Sequence, residues 1–335
     1  MKIASKRVLV TGGAGFIGSH LVERLAPENQ VTVLDDFSVG TDDNLRQVPS
    51  PVTVLRADVR DPRVIAEAVG QAQVIFHLAA VCLRVSISDP LATHGVNDTG
   101  TLNLLSASRQ STIERFVYVS SSEVYGSAAQ VPIDENHPTL AETPYAASKL
   151  AGEAYAFSFF RTYGVPVTVV RPFNSYGPRE HVAGPSGEVI PRFVARAIAG
   201  KPLVVFGDGM QTRDFTWVDD TVRGIVLAAE CDDLVGSSVN IARGQEVSIL
   251  RLARMVQTLV GSSLPVAHLQ ERPGDVRRQL AGVERARQLL DFTAEVSIAE
   301  GLARYVGWVK TLPNYGLSHT DHYEVRNWLL TPANA

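Results

Sequence analysis

Tyr145 and Lys149 stand four residues apart directly after Pro144, a spacing that places both side chains on one face of a helix. An ammonium beside a phenol favours the phenolate, which can take a proton from a hydroxyl as hydride leaves the carbon bearing it. By itself, Tyr-x-x-x-Lys is equally a surface i,i+4 pair. The run Ser120-Ser121-Ser122-Glu123-Val124-Tyr125-Gly126 adds hydroxyls and one carboxylate at the end of an apolar, β-rich segment. In a parallel sheet that end is where ligands bind.

A second chemical feature is the stretch from Val8 to Gly18. Gly13, Gly15 and Gly18 satisfy G-x-G-x-x-G, and Gly12, Gly15 and Gly18 satisfy G-x-x-G-x-x-G. Either register supplies a tight turn, bare backbone against a pyrophosphate, and close packing of the following helix. The motif alone also fits an ordinary βα turn. The next apolar run, Val31 to Leu34, ends in Asp35, where a carboxylate can accept both hydroxyls of an adenosine ribose. It would repel a 2′-phosphate, and Asp36, Phe37 and Ser38 supply no arginine to offset it. NAD is therefore expected rather than NADP.

The elements that must position these groups are legible as alternating apolar runs and helical patterns. Runs near Val8 to Thr11, Val31 to Leu34, Val52 to Ala57, Val74 to Leu78, Phe116 to Ser120 and Val167 to Arg171 predict strands of a parallel sheet covered on both faces. Helical patterns near Ile17 to Leu25, Pro62 to Val69, Asn97 to Arg109 and Pro144 to Tyr163 fall between them. This is a doubly wound (Rossmann) α/β arrangement. After Arg171 the chain becomes rich in Pro and Gly, with shorter helices expected near 191–199, 219–229, 249–260 and 298–310 and strands near 203–206 and 238–241. The expected division is a dinucleotide-binding domain over 1–172, completed by part of 213–243, and a smaller α/β substrate-binding domain over 173–335.

Composition narrows the function classes. At 335 residues, 45% hydrophobic and 20% charged, the chain can bury one large core or two moderate ones. A formal net charge of −4, with no lysine cluster interleaved with aromatics, gives nucleic-acid binding little support. No apolar signal region precedes the first strand and no apolar stretch reaches the ~18 residues a membrane span needs, so a cytoplasmic protein is expected. Cys82 and Cys231 suggest neither a disulfide framework nor a metal site. His137 and His181 read as surface or satisfied groups, and no metal is expected.

With the glycine turn, Asp35, the serine run and Tyr145/Lys149 in this order, the chain resembles the extended short-chain dehydrogenase/reductase family. The likeness is to its NAD-dependent nucleotide-sugar epimerases, dehydratases and decarboxylases, over roughly residues 5 to 310. The resemblance implies that Tyr145 is the base, Lys149 its electrostatic support and Ser121 the hydroxyl that bonds the reacting group. It implies cofactor contacts from Gly12, Gly15, Phe16, Ile17 and Gly18, with Asp58 and Val59 holding adenine. The strand end His77-Leu78-Ala79-Ala80, then Asn97, Ser120 and Pro172, would line the rest of the cofactor. Substrate contacts would come from Ser86, Ser122, Phe173 and Asn174, with Arg213 and Arg272 on a diphosphate, Asp275 on the nucleotide ribose, and Gln279. Guanidinium forks suit a diphosphate because they bind its oxygens bidentately. The partner is then a nucleotide-diphosphate sugar, with a UDP-sugar favoured. A homodimer would form through the helices near Asn97 to Arg109 and Pro144 to Tyr163.

The chain departs from these patterns at informative places. Glu123 stands where plain 4-epimerases of the family often have a neutral residue and several dehydratases and decarboxylases have Glu. Ser122 stands before it where the commonest dehydratase pattern has Asp. Gln279 aligns with the carboxylate-reading arginine of the decarboxylases. The expected activity is 4-epimerisation of a nucleotide sugar by transient oxidation at C4. Dehydration through Glu123 is the alternative, decarboxylation comes third, and an NAD-binding sensor is the non-enzyme reading.

Overall fold

The computed structural model describes residues 1–182, 186–271 and 275–312. Six strands, β1 (Arg7–Thr11), β2 (Gln30–Asp35), β3 (Thr53–Arg56), β4 (Val74–His77), β5 (Arg115–Val119) and β6 (Val167–Pro172), join a seventh, Ser238–Ile241, in one sheet. Its order is Ser238–Ile241, β6, β5, β4, β1, β2, β3, with every pair parallel. β1 lies between β2 and β4, Val10 standing opposite both Val33 and Phe76. The chain builds outward from β1 through β2 and β3, then crosses to β4 on the other side. That reversal opens a crevice at the carboxyl ends of β1 and β4, where doubly wound sheets bind ligands.

Strand side chains alternate between two cores, as the period of a strand requires. Val8, Val10, Val33 and Phe76 enter one with helix α1 (Phe16–Leu25) and the helix Val218–Glu230. Leu9, Leu34, Ile75 and Phe116 enter the other with the helices Pro62–Gln71 and Gly100–Ser108. Burying each such side chain contributes about 1.5–3 kcal/mol. The strand Ser238–Ile241 arrives late in the chain yet pairs with β6, Val239 opposite Val170, and Val239 and Ile241 are buried in the first core.

The smaller part of the fold packs the helices Val189–Ile198, Ile249–Val260 and Ile298–Val309 around Phe193, Leu252, Leu302 and Tyr305. Val204–Phe206 pairs in parallel with Ala267–Leu269, and Thr212–Asp214 pairs antiparallel with Glu246–Ser248. The chain is thus a Rossmann sheet with a smaller α/β part beside its carboxyl edge. Among the described residues no helix is long and apolar enough to cross a membrane.

The helix Pro144–Tyr163 starts and stops on local signals. Thr143 Oγ1 accepts the Ala146 N–H at 3.2 Å, Pro144 occupies the first turn where no donor is needed, and Gly164 ends the helix at φ +73°. The pattern near Asn97 to Arg109 is realised differently: a π-helical stretch, His94–Thr99, precedes Gly100–Ser108. Such π stretches inside helices cluster at functional sites.

Candidate active site

The glycine register is settled by backbone geometry. Gly12 takes φ +69°, and a Cβ there would stand 2.7 Å from the Ala79 backbone nitrogen. A Cβ on Gly18 would stand 2.0 Å from the Gly12 carbonyl oxygen, so only glycine lets α1 pack against the turn. Gly15 is the N-cap of α1 and brings no capping side chain. The first N–H groups of the helix are thereby left for an anion. Gly12, Gly15, Phe16, Ile17 and Gly18 all line one cleft of about 650 Å³ between the sheet and the smaller part.

Asp35 lines the same cleft although nearly buried. Its Oδ2 accepts the Ala14 N–H and its Oδ1 the Phe37 N–H, both at 2.9 Å. Burial pushes its carboxyl above the usual range, and the two backbone donors oppose that push. One lone pair on each oxygen remains for a ribose hydroxyl. Val59, Leu78, Ala79, Ala80 and Pro172 line the cleft as well.

Asp58, His77 and Asn97 lie behind this wall. Asp58 is turned away onto Arg60, whose Nη2 donates to Oδ2 at 2.5 Å, and that pair holds the carboxyl below its ordinary range. Arg60 itself faces the cleft. His77 is buried beneath it, bonded to Thr11 and Thr101 at 2.7 and 2.9 Å. Burial, and then Lys149, lower its pKa to about 3, so it is neutral. Asn97 is also buried, and its side chain exchanges hydrogen bonds with the backbone of Val81 and donates to Ser148 Oγ at 2.8 Å. It braces the segment after β4 against the Tyr145 helix rather than facing a ligand.

At the reacting end, Ser120, Ser121, Ser122, Glu123, Tyr145 and Lys149 meet in the cleft. Among the described residues the buried Ser120 hydroxyl has no partner, and such an orphan is satisfied by a bound polar group. The Tyr145 phenol and the Ser121 hydroxyl face each other in the cleft, near enough for Ser121 to act on the phenol. Lys149 Nζ donates to the Val119 carbonyl at 2.8 Å, and burial lowers its pKa to about 8. Among protein groups alone, burial raises the Tyr145 phenol above its ordinary value and Ser121 opposes that rise. The expected lowering of the phenol by Lys149 is therefore not seen, because the ammonium is turned onto Val119. Ser86 does not face the cleft; it is buried at the start of the Tyr145 helix.

The far wall is built by the later chain. Arg213 faces the cleft and is paired with Asp275 at 2.5 Å, its Nη1 donating to the carbonyls of Thr212 and Val276. Arg272 lies outside the described residues. Phe173 is buried against Val124 and Tyr125 and makes no part of the wall. Gln279 is fully buried, donating to Glu123 Oε1 at 3.1 Å and accepting from Asn174 Nδ2 at 3.0 Å. Arg84, Glu180 and Glu188, which the sequence did not single out, also line the wall, with His181. His137 is satisfied as expected, by Ala129 and Pro138. The Nε2 atom of His181 is buried without a partner among the described residues, contrary to expectation.

The glycine cradle, the lone pairs left on Asp35 and the orphan Ser120 hydroxyl together fit a dinucleotide. Comparison with known proteins points the same way. Residues 8–242 match the NAD dependent epimerase/dehydratase family. The UDP-glucose 4-epimerase of Mycolicibacterium smegmatis is 36% identical over 310 residues, which are 90% of this chain and 97% of that protein. The fold is similar to UDP-N-acetylglucosamine 4-epimerase from Methanobrevibacter ruminantium M1 in complex with UDP-N-acetylmuramic acid, with TM-score 0.87 and 34% identity over 93% of this chain and 99% of that one. A dTDP-glucose 4,6-dehydratase from Streptomyces venezuelae, solved with NAD bound, is similar with TM-score 0.86 and 33% identity over 91% of this chain and 97% of that one.

Proposed function

The chain belongs to the NAD-dependent epimerase/dehydratase family, and from that premise we propose that it is a nucleotide-sugar 4-epimerase of the UDP-hexose or UDP-uronate type. The observation that carries this reading is that Ser121, Tyr145 and Lys149 line one cleft together, with Ser121 near enough to the phenol to act on it. The Ser121 hydroxyl orients the C4 hydroxyl of the sugar, and Tyr145 takes its proton. Lys149, an ammonium below about pH 8, shares the cleft with them. Bound NAD supplies the acceptor and donor of hydride. Once the 4-keto sugar has turned its other face, Tyr145 gives the proton back to the C4 oxygen. No further acid or base is required, and Glu123 is held by Gln279.

A second reading, dehydration, is favoured by one observation: Glu123 lines the cleft and lies near enough to Tyr145 to raise its phenol. A carboxylate there could move a proton to or from carbon. Incubation with UDP-, dTDP- and GDP-sugars, read by mass and NMR, separates the two. Unchanged mass with inverted C4 supports epimerisation, loss of water supports dehydration, and loss of carbon dioxide supports decarboxylation.

The reading includes a cytoplasmic homodimer formed through the helices near 97–109 and 144–163. Tyr155 and Tyr163 stay exposed on the second of these helices. Light scattering that returned a monomer at micromolar concentration would remove the dimer from the proposal.

A further inference from the structure

The wall that the sequence did not single out joins both parts of the fold near the reactive hydroxyl. Arg84 lies in the short helix Leu83–Ser88 that follows β4, and it is buried. Its Nη2 donates to Glu188 Oε1 at 2.8 Å and to the Ser186 carbonyl at 3.2 Å, both on the smaller part. Glu180, also buried, accepts the Gly177 N–H at 3.2 Å and faces both Glu188 and Arg84. His181 adds an Nε2 with no partner among the described residues and is neutral, since burial lowers its pKa. Glu123, Cys82 and Glu188 each lie close enough to the Tyr145 phenol to raise it. The cleft beside Tyr145 is therefore bordered by the carboxylates Glu123 and Glu188, and Arg84, one of several arginines lining the cleft, is engaged by Glu188.

We propose that this wall makes the sugar subsite selective for an uncharged hexose, carrying hydroxyl or acylamino groups, over a hexuronate, with Glu188 as the residue that decides and Arg84 as the residue that positions it. The inference rests on the epimerase reading and narrows its substrate class. A uronate carboxylate beside Tyr145 would face the like charges of Glu123 and Glu188. To capture Arg84 it would have to displace Glu188 and leave that carboxylate unpaired. Hydroxyl and amide donors meet the opposite situation. The Glu188 carboxylate, 43% exposed at its side chain, presents acceptors to them.

The test is calorimetry on the NAD-saturated protein with UDP, UDP-glucose, UDP-N-acetylglucosamine and UDP-glucuronate. UDP-glucuronate is expected to bind at least about tenfold more weakly than the tighter of the two neutral sugars, a modest result for like charges at close range. Glu188→Gln should narrow that gap by strengthening UDP-glucuronate while leaving UDP itself unchanged, and Glu188→Ala should do the same if the amide proves disruptive. UDP-glucuronate binding as tightly as the neutral sugars overturns the proposal. So does an unchanged gap in both variants, with Tm and NAD affinity intact. Turnover judges the parent reading separately: neutral sugars that bind preferentially but are never epimerised leave the selectivity standing and remove the epimerase.

Discussion

The hydroxyl of Ser86 accepts the backbone N–H of Tyr145 at 3.0 Å while donating to the Leu83 carbonyl at 2.6 Å. A residue expected to touch substrate is instead the peg that ties the segment after β4 to the first turn of the helix carrying Tyr145. Ser86→Ala removes that peg and lets the phenol wander. Displacements of about 1 Å can cost ~10²-fold, so kcat is expected to fall by about ten- to a hundredfold with KM little changed. Ser86→Thr, which keeps the hydroxyl, should recover most of the rate. Steady-state kinetics on the two variants reads both numbers, and a change confined to KM would return Ser86 to the substrate.

Lys149 offers a test in the stability curve. Burial lowers its pKa from 10.5 to about 8. Below about pH 8 both the folded and unfolded chains carry the ammonium, and the folded state bears the cost of burying it. Between about 8 and 10.5 the unfolded chain binds more protons, so this group makes stability rise with pH across that window. The full rise is about 3 kcal/mol at most. Lys149→Met should therefore be at least as stable as the parent at pH 7 while losing activity. Its Tm advantage should shrink as pH approaches 10.5. Thermal melts of the two proteins from pH 7 to 10.5 measure the difference, in which other titrating groups cancel.

Cofactor choice follows from Asp35. With one oxygen bonded to Ala14 and the other to Phe37, the carboxylate is fixed in place and cannot turn away from a 2′-phosphate. NAD is expected to bind at least about tenfold more tightly than NADP, an amount that one close like-charge contact supplies. Asp35→Asn, which keeps an acceptor, should narrow the ratio chiefly by improving NADP. Calorimetry with both dinucleotides decides, and equal affinities in the parent would sink the argument.

The parts of the fold written in short-range signals were readable. Val8-Leu9-Val10 announces a strand buried on both faces, and Thr143, Pro144 and Gly164 mark the ends of the Tyr145 helix within one residue. The glycine turn was readable for the same reason, since Gly12, Gly15 and Gly18 act within one turn. The polar residues placed by resemblance fared less evenly. Asn97 bonds Ser148 across 51 positions and Gln279 bonds Glu123 across 156. No spacing in a single sequence reports such pairs. Arg84 and Glu188 stayed hidden because one sits in a short helix and the other in a Pro/Gly-rich segment, and only the closed fold makes them neighbours.

Glu123 separates the two leading chemistries. If the enzyme epimerises, Tyr145 performs the acid/base work, and Glu123→Gln should leave turnover within about tenfold, because an amide can still pair with Gln279. Tyr145→Phe, by contrast, removes general-base catalysis worth ~10²–10⁴. If the enzyme dehydrates, Glu123 must carry a proton to or from carbon or a leaving hydroxyl, and Glu123→Gln should cost a comparable ~10²–10⁴ in that step. Oxidation at C4 survives the substitution in both cases, since Ser121, Tyr145 and Lys149 are untouched. Rapid-quench analysis of the Glu123→Gln protein with its preferred sugar nucleotide therefore has two distinct outcomes. Steady inversion at C4 upholds the epimerase, whereas arrest at a 4-keto sugar alongside reduced NAD overturns it in favour of a dehydratase.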